Sequence, residues 1–210
     1  MKLLRETIRR MIIESVCDQT NNKIHQAISE LESRRFKVKL NKSPSGFVIR
    51  IFSDSQEVAY LDAHMTWRHD DLPCRGAFII GYTEVKSPYR GNSGFGALIY
   101  DIALELAGTA GLASDRDTVS GDAVSMWRYL YSSGDYDKKP FDTADGEFTP
   151  ADPSDDCEND SYLEHGGDFN DDKEEFQSHP LNNVYYKKDQ SQPTIRCLKE
   201  KKLVSERAHK

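Results

Sequence analysis

The chain has 210 residues, a formal charge of −7, 37% hydrophobic and 30% charged residues. That length supports one domain with a real core and some appended material. No stretch approaches the roughly 20 apolar residues that cross a bilayer, so no membrane partner is expected, and the acidic balance argues against a general nucleic-acid binder.

In chain order, residues 1–34 read as two amphipathic helices. The opening MKLLRETIRRMIIES puts Leu4, Ile8, Met11 and Ile12 on one face, with Lys2, Arg5, Arg9 and Arg10 around them. Its apolar residues are interleaved with charge, unlike a secretory signal. In the second helix Ile24, Ala27, Ile28 and Leu31 repeat the pattern, and polar residues 18–22 precede it as candidate caps. The period then changes to two. Phe36, Val38 and Leu40 alternate with lysines, the turn KSPSG follows, then FVIRIF and, after SDSQ, EVAYLDAHM. This predicts a meander of antiparallel strands.

CRGAFIIGYTEV (residues 74–85) reads as a buried strand. SPYRGNSGFG (87–96) is a glycine-rich turn, and ALIYDIALELAG (97–108) a helix with Leu98, Ile102, Leu104 and Leu106 on its apolar face. A glycine turn between a strand and a helix N-terminus gathers backbone N–H groups and the positive end of the helix dipole, which suits a phosphate or pyrophosphate. The bland alternative is an ordinary tight turn before a helix. A short strand GLAS, the helix AVSMWRYLYSS with Ser120 as its N-cap, and a C-terminal helix over residues 192–204 complete the elements.

The charge is unevenly spread. Residues 141–180 hold 14 Asp or Glu against Lys173 alone, while the remaining 170 residues are net basic by six. So acidic a block, poor in apolar residues, is expected to be irregular. Cys17, Cys74, Cys157 and Cys197 show neither C-x-x-C nor metal-ligand spacing. They predict no disulfide framework, and hence a reducing, cytoplasmic setting.

This order of elements, with a strand ending V-x-x-P-Y-R-G and a later A-x-x-M-W helix, resembles the GNAT superfamily of acyl-CoA N-acyltransferases over residues 36–133. The stretches GLASDRDTVSGDAVSMWRYL and TPADPSDDC resemble GNAT-like proteins of tailed bacteriophages, which implies an infected-host cytoplasm or a virion as the location. The resemblance implies an α/β (α+β) fold with a mixed, mostly antiparallel sheet flanked by helices. It divides the chain into N-terminal amphipathic helices (1–34), a GNAT-like domain (35–133), an acidic irregular extension (134–190) and a C-terminal helix with a basic tail (191–210). It implies acetyl-CoA or another acyl-CoA as co-substrate. Val85, Arg90, Gly91, Ser93, Gly94, Phe95, Gly96 and Ala97 would bind it, Glu84 would be the general base, and an acceptor amine, free or on a protein, would attack the thioester.

Three features depart from the family. Arg90 stands one place too early relative to Gly94 and Gly96, so the loop is stretched. Trp127 occupies the position of the tyrosine that would protonate the leaving thiolate, and indole is no useful acid. The chain after Ser133 shows no clear final hairpin. These favour a competing expectation: a non-catalytic GNAT-fold phage protein with a structural, virion-internal or host-interaction role.

Other chemistry-bearing residues have plainer readings. His64, His69, Asp70 and Asp71 match no strong metal motif, and no metal is expected. Ser120 lacks a nucleophile-elbow context. DPSDDCEND does not follow the calcium-loop pattern. Glu84 also reads as a surface carboxylate beside Lys86.

Overall fold

The computed structural model describes residues 4, 7, 17–65, 77–91, 93–114, 119–140 and 180–208. The expectations for the first helix, for most of the acidic block and for His69, Asp70, Asp71, Asn92, Cys74 and Cys157 lie outside these residues. The fold is mixed α/β. Among the described residues its main helices are α1 (Asn22–Ser33), α2 (Phe95–Ala107), α3 (Gly121–Ser132) and α4 (Pro193–Glu200). Its strands are β1 (Lys37–Ser43), β2 (Gly46–Ser53), β3 (Gln56–Met65), β4 (Phe78–Val85), β5 (Leu112–Ala113), β6 (Tyr136–Pro140), β7 (Asn183–Lys187) and β8 (Val204–Ala208). They form one mostly antiparallel sheet in the order β6-β7-β5-β4-β3-β2-β1-β8. The chain divides into two compact units, one from residues 1–61, 84–106 and 189–210, the other from residues 62–83 and 107–188.

In the first unit the period-two reading holds. Val38 and Leu40 of β1 are buried between exposed lysines and pair antiparallel with Ile51 and Ile49 of β2. Helix α1 buries the expected Ile24, Ala27, Ile28 and Leu31. Its cap is Asn21, whose side-chain oxygen accepts from the Ile24 amide at 3.0 Å. Helix α2 is buried along nearly its whole length, so its apolar residues cover more than one face. Asp101 and Glu105 are buried with it.

The C-terminal stretch differs from a single helix over 192–204. Helix α4 stops at Glu200, Lys202 adopts a left-handed φ of 56°, and the Leu203 amide closes on the Leu198 carbonyl at 2.8 Å. The chain then joins the sheet as β8, parallel to β1, with Val38 opposite Val204. The apolar pair Leu203-Val204 is therefore the entry to a strand, which helical spacing did not separate from the helix before it. The cysteines differ too. Cys17 and Cys197, 180 residues apart in sequence, are joined by a disulfide with Cα atoms 5.0 Å apart.

In the second unit, β4 pairs parallel with β5 at Phe78–Leu112 and Ile79–Ala113. Ala77, Ile79, Ala113 and Val184 form one cluster of its buried core, with Tyr186 packed against them. Helix α3 starts on the expected Ser120, whose hydroxyl accepts from the Ala123 amide at 3.3 Å. The chain after Ser133 contributes a final antiparallel strand pair where no closing hairpin was expected. Strands β6 and β7 pair antiparallel from Tyr136–Lys187 to Pro140–Asn183, although residues 141–182 lie between them. That long separation, and the polar sequence YDKKP of β6, hid the pairing from a reading that looks for short turns.

Candidate functional site

The end of β4, the glycine turn and the start of α2 belong to the first unit. The Lys86 amide donates to the Val58 carbonyl at 2.9 Å, fixing the strand end. A 3-10 turn over Ser87–Tyr89 follows, with Pro88 inside it and the Tyr89 amide on the Lys86 carbonyl at 2.8 Å. Gly91 and Gly94 take φ of 78° and 71°, the left-handed region that only glycine enters without strain. Their surroundings differ. A methyl group at Gly91 would meet nothing within 4 Å, whereas one at Gly94 would stand 3.1 Å from the Ala27 Cβ of α1. Gly94 is thus favoured by its φ and closely packed against α1.

Three aromatic rings support the loop. Phe36 meets Tyr89 edge-on at 5.7 Å and Phe95 at 5.9 Å, and Tyr89 and Phe95 stack at 6.4 Å. Phe95, the first residue of α2, is 1% exposed, so its ring belongs to the core and only its amide to the loop. Ser93 ties the turn together: its hydroxyl donates to the Tyr89 carbonyl and accepts from the Phe95 amide at 3.3 Å. The first intrahelical bond runs from the Leu98 amide to the Gly94 carbonyl at 3.0 Å. Gly96 and Ala97 are therefore at first-turn positions whose amides the helix cannot satisfy itself. Together with the dipole of a 13-residue helix, they make the start of α2 attractive to an anion.

Arg90 and Val85 are joined by a bond that the sequence does not announce. The Arg90 Nε donates to the Val85 carbonyl at 2.7 Å. Glu84 is also engaged: the Lys86 ammonium lies 2.6 Å from its Oε2, on a partly exposed surface. As a base, Glu84 would first have to part from this lysine.

Trp127 is 1% exposed and packs its ring on Tyr185 at 5.3 Å; it is a core residue. Burial, with a smaller contribution from Tyr131, pushes the Tyr185 hydroxyl above the usual tyrosine range, and that hydroxyl donates to the Pro180 carbonyl at 2.5 Å. Tyr129 lies edge-on to Tyr136, and Lys138 sits over the Tyr131 ring. In α2, burial likewise raises Tyr100.

Away from the loop, Asp62 and His64 of β3 lie across the face of Gly81, where an added methyl would meet Asp62 Oδ2 at 2.9 Å and His64 Nδ1 at 3.4 Å. Among the described residues, no group of three or more His, Cys, Asp or Glu is placed to hold a metal ion, and no helix is long and apolar enough to cross a membrane.

The buried carboxylates of α2 were also missed. Glu105 Oε1 and Oε2 each accept a backbone N–H at 2.8 Å, from Thr194 and Ile195, and Asp101 Oδ2 accepts from the Thr194 hydroxyl at 2.5 Å. Their sequence signal was two acids at helical spacing inside an otherwise apolar helix.

Comparison with family models, curated proteins and solved structures gives no match.

Proposed function

We propose that this chain is a GNAT-type protein that binds an acyl-CoA at the start of α2 and transfers its acyl group to an amine. The observation that carries the reading is the strand–turn–helix itself. Two left-handed glycines and three packed rings aim first-turn amides of a long buried helix at one point. Two further features support it. A final antiparallel strand pair, β6 and β7, is present. Among the described residues, β4 pairs parallel with the two-residue β5 at its start and runs on to Val85 beside the loop.

In this reading the amides of Gly96 and Ala97 hold the pyrophosphate, with Gly91 and Ser93 shaping the turn. Backbone groups around Glu84 and Val85 align the pantetheine. The amine attacks the thioester carbonyl, its proton passes to Glu84 or to water, and the thiolate leaves. Most of the acceleration comes from positioning and from polarising the carbonyl.

A second reading is favoured by three observations. Arg90 occupies the Val85 carbonyl, Lys86 engages Glu84, and Trp127 is sealed in the core. These suit a non-catalytic GNAT-fold phage protein with a structural, virion-internal or host-interaction role.

Titration with acetyl-CoA separates the two readings. At a hundred times its Kd, the ligand should stabilise the protein by about 2.7 kcal/mol. Gly91→Asp is the informative variant, because the site is open and Asp tolerates a left-handed φ. It should weaken acetyl-CoA binding about tenfold or more while the fold persists. Gly94→Glu is unsuitable, since it would drive a side chain into α1. No heat and no melting shift at millimolar acetyl-CoA would end the acyltransferase reading.

A further inference from the structure

We propose that the Cys17–Cys197 disulfide is a redox-operated clamp that holds α1 and α4 about α2, so that its oxidation state governs how firmly the glycine loop is held. The disulfide, α1, α2 and α4 all lie within the first unit, α2 up to Leu106. Cys17 stands in the turn that launches α1: the Thr20 hydroxyl and amide both donate to the Cys17 carbonyl, at 2.7 and 3.0 Å, and Asn21 then caps the helix. One turn on, α1 touches the loop, where the Lys23 carbonyl and Ala27 Cβ crowd Gly94. Cys197 stands in α4, whose N-terminal amides are held by Glu105 of α2. Thus α1 packs on the loop that opens α2, α4 is anchored further along α2, and the disulfide joins α1's lead-in to α4. Beyond α4, Lys201 also reaches back to α1, with its ammonium 2.6 Å from Glu32 Oε2. That exposed ion pair is too weak to replace a covalent link.

Both cysteines are buried, at 2% and 0% exposure. A reductant therefore reaches the bond only when this part of the unit opens, and the clamp responds to sustained rather than momentary changes of redox poise. Closure is a thiol–disulfide exchange with a small disulfide such as oxidised glutathione. The two cysteine thiols lose two electrons and two protons, one S–S bond forms in the protein, and two glutathione thiols are released.

The test compares the full chain after oxidised glutathione with the same chain after a phosphine reductant, alongside Cys17→Ser and Cys197→Ser. Peptide mapping without reductant identifies the pairing. The reduced protein should melt about 10 °C lower. Amide exchange should rise at least tenfold in residues 22–33, 89–98 and 193–200, with β6 and β7 unchanged. Both serine variants should match the reduced protein and ignore the reductant. Three outcomes overturn the clamp: a different pairing in the peptide map; equal melting and exchange in a chain whose two thiols are shown to be free; or loosening of α4 alone with 89–98 unaffected, which would make the bond a local staple. That the clamped loop receives coenzyme A rests on the acyltransferase reading. Acetyl-CoA binding to neither redox form would remove that reading and leave the exchange result standing.

Discussion

Two helices of the same unit begin in opposite ways. Helix α4 starts from Gln192, held at a left-handed φ of 58° without a side-chain cap of its own, and Pro193 follows. Its next two amides are taken by both oxygens of the buried Glu105 carboxylate. Helix α2 starts from a glycine turn whose hydroxyl cap, Ser93, takes the Phe95 amide at 3.3 Å. Each helix start is a centre of positive potential. At α4 the protein supplies the anion from its own interior. At α2 the first amide is met by the Ser93 hydroxyl, and a methyl at the neighbouring Gly91 would meet nothing within 4 Å.

Removing the internal anion at α4 should have the largest effect. Glu105→Ala leaves the amides of Thr194 and Ile195 buried without their acceptor and should cost about 4 kcal/mol, or a Tm fall of about 10 °C. Glu105→Gln keeps one acceptor oxygen and should cost about half as much. Urea denaturation with an unchanged m-value measures both. A cost under about 1 kcal/mol for the alanine variant would mean that α4 does not depend on the carboxylate, and the contrast between the two helix starts would collapse.

Two left-handed glycines should differ by a smaller amount. Gly111 and Gly91 share a left-handed φ, 76° and 78°, so backbone strain is common to both. A methyl at Gly111 would come within 2.4 Å of Val184 Cγ1 and 2.7 Å of the Tyr186 ring, whereas the space at Gly91 is open. Gly111→Ala should cost about 3 kcal/mol and Gly91→Ala about 1. Equal costs would show that Gly91 is as tightly packed as Gly111, leaving no room for a ligand there.

Much of this was legible in the sequence because it is local. The apolar spacing of Ile24, Ala27, Ile28 and Leu31, the alternation at Val38 and Leu40, and the caps Asn21 and Ser120 are written within a few residues of the features they cause. So was the strand–turn–helix of the candidate site. What stayed hidden is non-local. Strands β6 and β7 pair across residues 141–182, β8 reaches β1 from the far end of the chain, and Cys17 finds Cys197. Glu105 reads as one polar residue in an apolar helix until α4 arrives to use it. The bond from the Arg90 Nε to the Val85 carbonyl is short-range, but no sequence pattern announces it.

The smallest expected effect bears most directly on what the start of α2 is for. Ser120 and Ser93 each accept an amide at 3.3 Å, but at helices of different surroundings. Ser120 caps α3 as an ordinary N-cap, so Ser120→Ala should cost about 1 kcal/mol and leave acetyl-CoA binding untouched. Ser93 also donates to the Tyr89 carbonyl, which ties the turn to the ring cluster beneath it. Phe36, Tyr89 and Phe95 hold that turn by packing alone, so Ser93→Ala should cost no more than about 1 kcal/mol. Its larger consequence should be on the ligand, because the turn that aims the Gly96 and Ala97 amides would lose one of its ties. A fall of about threefold or more in acetyl-CoA affinity, set beside an unaltered Ser120→Ala, would mark the start of α2 as a binding element. If Ser93→Ala lowers stability as Ser120→Ala does and leaves affinity unchanged, the serine is one more helix cap, and the loop owes its shape to packing.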